Sequence, residues 1–262
     1  MPQGSRAMLS MQPPKELCLK VLFSSDIHGM KSAFERFSEL LRTDGYDAGI
    51  LGGDLLDEYM TEEKVQALLG VPEDELIDEL PGPDDDMVAV WKNSGSYLRQ
   101  ERAREVRTRL FEDILDAAHV PVFLVRGNHD MTAWPDTGYI TDIHMKRVTL
   151  GGRAFAGYRW TEMERTAEDA STDMAGLSWL VDRGTVLVTH SPPKRILDGS
   201  RRWGAHYGLE ALRSVRPKPW LHLFGHVHGL AGRKGRYVNG CWLTIRRFFE
   251  IDVDRRRVRL VE

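Results

Sequence analysis

Short apolar runs alternate with an amphipathic segment near the start of the chain. Residues 17–24 and 48–51 predict two buried strands, because each run is short and almost wholly apolar. Between them, apolar side chains recur at helical spacing until Gly45, which predicts a helix that ends there. A strand, a helix and a strand in this order form a βαβ unit, so the two strands should be parallel.

The same signals continue to the end of the chain. Residues 98–118 predict a long amphipathic helix, and residues 120–125 predict another buried strand. Further strands are predicted at residues 147–150, 154–158, 185–189, 220–224, 236–245, 248–253 and 257–261. Residues 254–256 predict a hairpin turn between the last two strands. The pattern as a whole is typical of an α/β fold.

Two segments depart from this regular pattern. Residues 1–15 are rich in proline and glycine and lack the apolar centre of a signal peptide, so we predict a flexible tail. Residues 58–100 are acidic and helix-prone but broken by prolines, which predicts an insertion. The insertion could be a cap beside an active site, a partner-binding surface or a solvated decoration. A single domain would then span residues 16–262.

Composition narrows the class of protein without identifying a partner. The 36 Lys and Arg against 39 Asp and Glu give a net charge of −3, and 42% of residues are apolar, as in ordinary globular proteins. No apolar stretch approaches the ~18 residues of a membrane span. Cys18 and Cys241 do not make a disulfide framework, so we expect a reducing, cytoplasmic setting.

Residues able to bind metal follow five of the predicted buried strands. In chain order they are Asp26 and His28, then Asp54, then Asn128 with His129 and Asp130, then His190, and last His226 and His228. Each set stands beside small, turn-forming residues. Because the carboxyl ends of strands converge on the functional crevice of an open α/β sheet, these side chains should meet in one place.

The predicted cluster has the chemistry of a two-metal site. Carboxylate, amide and imidazole groups without thiolate suit borderline divalent metals such as Mn, Fe or Zn. The ligands are too many for one tetrahedral site and enough for two ions, which can clamp both oxygens of a phosphoryl transfer. Asp26 and His28, two apart on an extended segment, should face the same side. Asn128 and His129, as neighbours, should point in different directions.

The ordered motifs D-x-H, G-D, G-N-H-D, H and G-H-x-H resemble those of the calcineurin-like metallophosphoesterases, over about residues 17–262. The resemblance implies a four-layer α/β/β/α sandwich of two mixed sheets, with a dinuclear metal centre at the strand ends. It also implies a phosphoric ester hydrolase in which a metal-bound hydroxide is the nucleophile. Two divalent ions are expected as cofactors, Mn first, with Fe, Zn, Ni or Co as alternatives.

The resemblance also suggests a role for each residue. It implies Asp26, His28 and His228 as ligands of one metal, Asn128, His190 and His226 as ligands of the other, Asp54 as the bridge, His129 as the catalytic histidine and Asp130 as an acidic residue near it. A histidine that binds no metal is free to act as a general acid. Arg126 and His206 are candidate substrate contacts.

Two features bear on the substrate. Related protein phosphatases carry an arginine after G-D-x-x-D that grips the phosphate of a monoester, whereas this chain has Glu58 there, and a carboxylate would repel a dianion. Residues 190–193, 208–212, 221–228 and 237–239 are similar to a branch linked to cyclic-nucleotide phosphodiesterase activity. Both features favour a small or nucleotide-like phosphodiester as the substrate.

The sequence is also compatible with three other functions. One is a DNA or RNA nuclease of the same superfamily, although the net charge of −3 and the acidic insertion count against a dedicated nucleic-acid binder. Another is a phosphomonoesterase. The third is a non-catalytic scaffold, against which the complete ligand set and His129 both count. No membrane association is expected, and the sequence predicts no particular protein partner.

Overall fold

A computed structural model describes residues 18–56, 95–130, 132–134, 136–161, 167–199 and 205–262. The predicted tail at 1–15 and most of the predicted insertion at 58–100, with Glu58, lie outside the described residues. The tail, the insertion and the domain boundary therefore stay predictions. In the described part of the chain, no helix is long and apolar enough to cross a membrane.

Strands and helices alternate through the first part of the chain and give way to short strands at its end. The strands are β1 (Lys20–Ser24), β2 (Ala48–Leu51), β3 (Val122–Leu124), β4 (Ile140–Asp142), β5 (Arg147–Leu150), β6 (Arg153–Tyr158), β7 (Val186–Thr189), β8 (Leu221–Phe224), β9 (Gly232–Lys234), β10 (Tyr237–Asn239), β11 (Phe248–Asp252) and β12 (Arg257–Val261). The helices are α1 (Lys31–Thr43), α2 (Gly95–Asp116), α3 (Ala167–Leu180), α4 (Glu210–Ser214) and α5 (Trp242–Ile245), with a 3₁₀ turn at His228–Leu230.

The strands form two six-stranded mixed sheets, as predicted. The first has the order β12-β11-β1-β2-β3-β4, and the second has the order β5-β6-β7-β8-β10-β9. In the first, β1 to β4 are parallel, and β11 is antiparallel to both of its neighbours, β1 and β12. In the second, β6, β7, β8 and β10 are parallel, and β5 and β9 are antiparallel edges.

Side chains on the two faces of each central strand enter different cores. Val21 and Phe23 of β1 pack between the two sheets, whereas Leu22 faces the helices α1 and α2. On β7, Val188 packs between the sheets and Leu187 faces α3 and α4. Strands buried on both faces explain why these runs are continuously apolar. The layers are therefore helix, sheet, sheet and helix, which confirms the four-layer sandwich.

The structure differs from the sequence prediction at several short elements. The single strand predicted over residues 236–245 is wrong, because β10 ends at Asn239 and the chain then turns into α5. The amide of Trp242 donates to the carbonyl of Ser25, which draws this segment across the end of β1. Strands β4 and β9 have three residues each and were not predicted, because so short a run carries little periodic signal. Helices α3 and α4 were missed as well.

Candidate metal centre

The carboxyl ends of five parallel strands supply the candidate ligands. Asp26 and His28 follow β1, Asp54 follows β2, Asn128 follows β3, His190 follows β7, and His226 and His228 follow β8. The in-register pairing of β1 with β2 and of β2 with β3 brings the first three loops side by side. A contact joins the two sheets here, because His190 Nδ1, after β7, lies 3.0 Å from the carbonyl of Gly52, after β2. Within the second sheet, the amide of Gly225 donates to the carbonyl of His190.

The ligand atoms form two groups that share one carboxylate. The outer group is Asp26, His28, Asp54 and His228, and the inner group is Asp54, His190 and His226. Within each group, the atoms able to bind an ion all lie within 4.8 Å of one another. Sequence alone places these residues at five separate strand ends, and the fold brings them together with Asp54 between the two groups.

Measured contacts show how closely the donors face each other. His228 Nε2 lies 3.3 Å from Asp26 Oδ1, and His28 Nε2 lies 3.8 Å from Asp54 Oδ2. In the inner group, His190 Nε2 lies 3.4 Å from Asp54 Oδ2. Carboxylates and imidazoles within reach of one ion, in two adjoining groups, fit two borderline divalent metals.

Asn128 completes the inner group with an amide oxygen. Its Oδ1 lies 3.0 Å from His190 Nε2. Asn128 and His129 lie in a turn. The segment is therefore not extended, and the prediction that the two side chains diverge because neighbours alternate along an extended segment is wrong on that point. The side chain of Asn128 nevertheless faces the inner group.

Four of the ligand residues have backbone torsions that side-chain-bearing residues rarely adopt. The φ angles are +52° at Asp26, +49° at His28, +50° at Asp54 and +69° at His226. Each such residue costs on the order of 1–3 kcal/mol, and such residues concentrate at functional sites. The segment of Asp26 and His28 is thus not extended, so the periodicity argument for it is wrong even though both side chains enter the outer group.

Each carboxylate is held by an amide from the loop of another strand. Asp54 Oδ1 accepts a 2.9 Å hydrogen bond from the amide of His129. Asp26 accepts one of 2.9 Å at Oδ1 from the amide of His226, and its Oδ2 accepts one of 2.6 Å from Ser25 Oγ. These partners fix the orientation of the carboxylates, as the outer contacts of metal ligands commonly do.

Two glycines make this close approach of backbone and carboxylate feasible. A Cβ atom at Gly127 would overlap Asp54 Oδ1, and one at Gly225 would overlap Asp26 Oδ2. Neither overlap could be relieved cheaply, because both carboxylates are anchored by the amides just described. The G-N-H-D and G-H-x-H motifs therefore need their glycines for space beside the ligands.

Asp54 and His190 are electrostatically coupled. Burial by itself would raise the pKa of Asp54, but the charge and hydrogen bond of His190 and the amide of His129 lower it well below its usual range. Burial likewise disfavours charge on His190, yet the Asp54 carboxylate raises the pKa of the imidazole. Without a metal ion the two side chains form an ion pair. A bound ion must displace the imidazole proton, so metal binding and proton release are linked.

The family model described as calcineurin-like phosphoesterase matches residues 19–230. The chain belongs to this family. Calcineurin-like phosphoesterases are generally hydrolases with a dinuclear metal site, and the outer and inner groups supply candidate ligands for one.

Two curated proteins show partial sequence similarity. The UPF0046 protein K07C11.7 of Caenorhabditis elegans is 26% identical over 172 residues, which are 56% of this chain and 57% of that protein. A stretch of 69 residues is 38% identical to the probable rhamnogalacturonate lyase C of Emericella nidulans, and it covers 26% of this chain and 6% of that protein. The chain thus spans less than two thirds of both relatives.

Solved structures share the fold at low sequence identity. TT1561 of Thermus thermophilus has a TM-score of 0.59 and 17% identity, over 94% of this chain and 99% of that chain. Another crystal structure has a TM-score of 0.64 and 14% identity, with the same coverage. At this identity the agreement concerns the arrangement of the sheets and helices.

His129 lies beside the metal groups of this calcineurin-like phosphoesterase. Its ring centroid is 5.1 Å from that of His28, and the two rings meet edge to face. Neither the outer nor the inner group includes it among the described residues. His129 therefore lies next to the candidate ligands without belonging to either group. Its catalytic role stays a prediction.

Asp130 accepts hydrogen bonds from backbone amides in two of the loops that carry candidate ligands. The carboxylate is buried and accepts hydrogen bonds from the amides of Leu55, Leu56 and Gly127, at 2.8 to 3.2 Å. Burial and the nearby charge of Asp54 raise the pKa of Asp130 to about 6, against these amides. Asp130 ties the loop after β2 to the loop after β3, and its predicted part in the chemistry stays a prediction.

Asn239 positions the last pair of histidines and was not predicted as a site residue. Fully buried, it donates from Nδ2 to the carbonyl of Val227, between His226 and His228, at 2.9 Å. Its Oδ1 accepts from the amide of Cys241 at 3.1 Å. The sequence signal was a polar residue at the end of an apolar run, the same signal that marked the ligands.

The two candidate substrate contacts have protein partners. Arg126 Nε lies 3.6 Å from Asp142 Oδ2, which offsets part of its charge. His206 Nδ1 lies 2.9 Å from Asp198 Oδ1, and Asp198 also accepts from the amides of Arg195 and Gly208. These contacts hold His206 against the Asp198 carboxylate. Substrate binding by Arg126 and His206 stays a prediction.

Proposed function

We propose that the protein is a metal-dependent phosphodiesterase that hydrolyses a small or nucleotide-like phosphodiester. The observation that carries this proposal is the pair of ligand groups joined at Asp54. Two ions in these groups would supply a water of lowered pKa and offset charge on the phosphoryl oxygens. Asp26, His28 and His228 would hold one ion, Asn128, His190 and His226 the other, and Asp54 would serve both.

The protein's own side chains would contribute in two ways, by fixing the positions of the metal ligands and by supplying a proton. The anchored carboxylates fix the positions of the two groups before substrate arrives, so little reorganisation is needed during the reaction. His129, which lies next to His28 but outside both groups, would donate a proton to the leaving oxygen.

Charge supports a diester over a monoester. A diester carries one negative charge, whereas a monoester at neutral pH approaches two and is gripped by cations in enzymes that prefer it. Glu58 occupies the position where related monoesterases carry arginine. Arg126, the cation that precedes the G-N-H-D motif, already faces Asp142 at 3.6 Å.

Substrate panels test the diester preference directly. With Mn²⁺ bound, we expect kcat/KM for bis-p-nitrophenyl phosphate to exceed that for p-nitrophenyl phosphate. Glu58→Arg should shift the ratio toward the monoester, whereas Glu63→Arg, an equal charge change nearby in the sequence, should not. A clear monoester preference of the wild type would contradict the diester proposal.

Metal counting tests the other half of the proposal. Elemental analysis and anomalous scattering on protein prepared with ample Mn²⁺ should show two ions per chain. At most one ion under saturating metal would contradict the dinuclear centre. Running the substrate panel with Mn²⁺, Fe²⁺, Ni²⁺, Mg²⁺ and Zn²⁺ would identify the metal that supports hydrolysis best.

A further inference from the structure

A cationic pocket lies apart from the metal centre. Its volume is about 500 Å³, and it is lined by Ile196, Arg233, Lys234, Arg236, Tyr237 and Arg256. A pocket of this size falls within the usual range for small-molecule sites, which is about 300–1,000 Å³.

The strand register places the four cations of this pocket at the end of the sheets opposite the metal ligands, whereas Ile196 comes from the loop after β7. Tyr237 begins β10 and pairs with His222 near the start of β8, whereas Asn239 pairs with Phe224 at the metal end. Arg256 lies in the turn between β11 and β12, and this turn adjoins the start of β1, where the amide of Val253 donates to Leu19. The pocket is therefore a site of its own.

Neutral groups, not carboxylates, contact the three arginines of the pocket. Arg236 Nη1 donates to the carbonyl of Pro219 at 2.6 Å, and Arg233 Nε donates to the carbonyl of Gly235 at 2.8 Å. The guanidinium of Arg256 stacks 3.3 Å from the ring centroid of Trp220. In the described part of the chain, none of the four cations that line the pocket forms an ion pair. The three guanidinium groups are thus positioned by neutral partners, and no carboxylate of the described residues offsets the four charges.

The electrostatics of Arg256 show the same lack of compensation. Burial and the positive charges of Arg236, Arg153 and Arg233 lower the pKa of Arg256. The carboxylate closest in sequence, Asp254, already pairs with Arg153 at 2.9 Å and accepts from the amide of Leu19. An anion bound in the pocket would relieve this repulsion.

We propose that the cationic pocket binds a polyphosphate of nucleotide size, such as a nucleoside di- or triphosphate. Four clustered cations match three or four negative charges, and guanidinium forks suit phosphate oxygens. Orthophosphate would fill little of about 500 Å³. Tyr237 and Ile196 add the aromatic and apolar surface that a nucleoside would contact. This binding is independent of the proposed phosphodiesterase activity.

Calorimetric titration of the metal-loaded full chain tests the proposal. The probes are inorganic tripolyphosphate, the imido analogue of ATP, orthophosphate and single-stranded oligo(dT). The test variant is Arg233→Gln with Lys234→Gln, both exposed residues, and the control is Arg42→Gln with Arg102→Gln, two exposed cations on α1 and α2. Arg256→Gln is a second test variant, should the first fail to fold by circular dichroism.

We expect the wild type and the control to bind tripolyphosphate and the ATP analogue alike, and the test variants to bind both at least about tenfold more weakly. A crystal soaked with the analogue should show its phosphates beside Arg233 and Arg236. The proposal is overturned by absent binding in the wild type, by equal weakening in the control, by orthophosphate binding as tightly as tripolyphosphate, or by oligo(dT) binding more tightly than the nucleotide.

Discussion

The outer and inner groups of the metal centre use similar residues in different surroundings. In the inner group, the His190 side chain is fully buried, whereas that of His228 in the outer group is 43% exposed. His129 contacts the outer group through His28. The inner group therefore includes a histidine closed off from solvent, and the outer group includes one that is open to it. The carboxylate of Asp54 belongs to both groups and links them.

Asp54→Asn should have the largest effect and remove the distinction between the groups. One residue serves both, so both should lose affinity together, and hydrolysis should fall to the rate measured without metal. Metal content by elemental analysis and kcat with the diester check this. Loss of one ion with the other retained at full affinity would show that Asp54 belongs to a single group.

His129→Ala should separate chemistry from metal binding on the open side. General acid catalysis typically contributes about 10²–10⁴-fold, so kcat should drop by about that factor while the metal content stays at the wild-type value. The loss should be smaller for p-nitrophenolate leaving groups, which need less protonation. A lost ion in this variant would mean that His129 is a ligand.

The two glycines allow each group to be disturbed by one methyl group. Gly225→Ala should displace Asp26 and weaken the outer group, whereas Gly127→Ala should displace Asp54 and weaken both. Changes of this kind commonly cost about 10–100-fold in metal affinity or activity. Gly138→Ala, where a Cβ would meet nothing within 4 Å, is the matched control. Equal metal affinity in all three variants would refute the packing argument.

The smallest expected effect is a difference in folding stability between two variants, one with alanine at His190 and one with alanine at His228. With metal chelated, His190→Ala should destabilise the fold by about 1–3 kcal/mol, because it leaves buried polar groups, including the Asp54 carboxylate, without their hydrogen-bond partner. His228→Ala, at a half-exposed position, should cost within about 0.5 kcal/mol. Urea denaturation of both variants measures this, and equal losses would mean that the groups do not differ in burial.

Much of the framework follows from pattern alone. Residues 48–51, 147–150 and 257–261 were predicted with the bounds that the structure has, because each is a short run set off by turn-forming residues. The candidate ligands were predicted because five buried strands each end in Asp, Asn or His beside turn-forming residues, a combination that seldom arises by chance. Helix α3 was missed, and residues 236–245 were predicted as one strand although the chain turns there after Asn239.

Local sequence pattern is enough to predict which residues follow the strands, and so which donor groups the centre would have. Three arrangements are visible only in the folded chain: Asp54 lies between two ligand groups, Asp130 accepts hydrogen bonds from backbone amides of two loops, and four cations line one pocket at the far end of the sheets. The difference comes from the distance along the chain over which each effect acts. Periodicity and turn chemistry act over a few residues, whereas these arrangements depend on sheet register and on left-handed backbone at Asp26, His28, Asp54 and His226, which packing across the whole chain must stabilise.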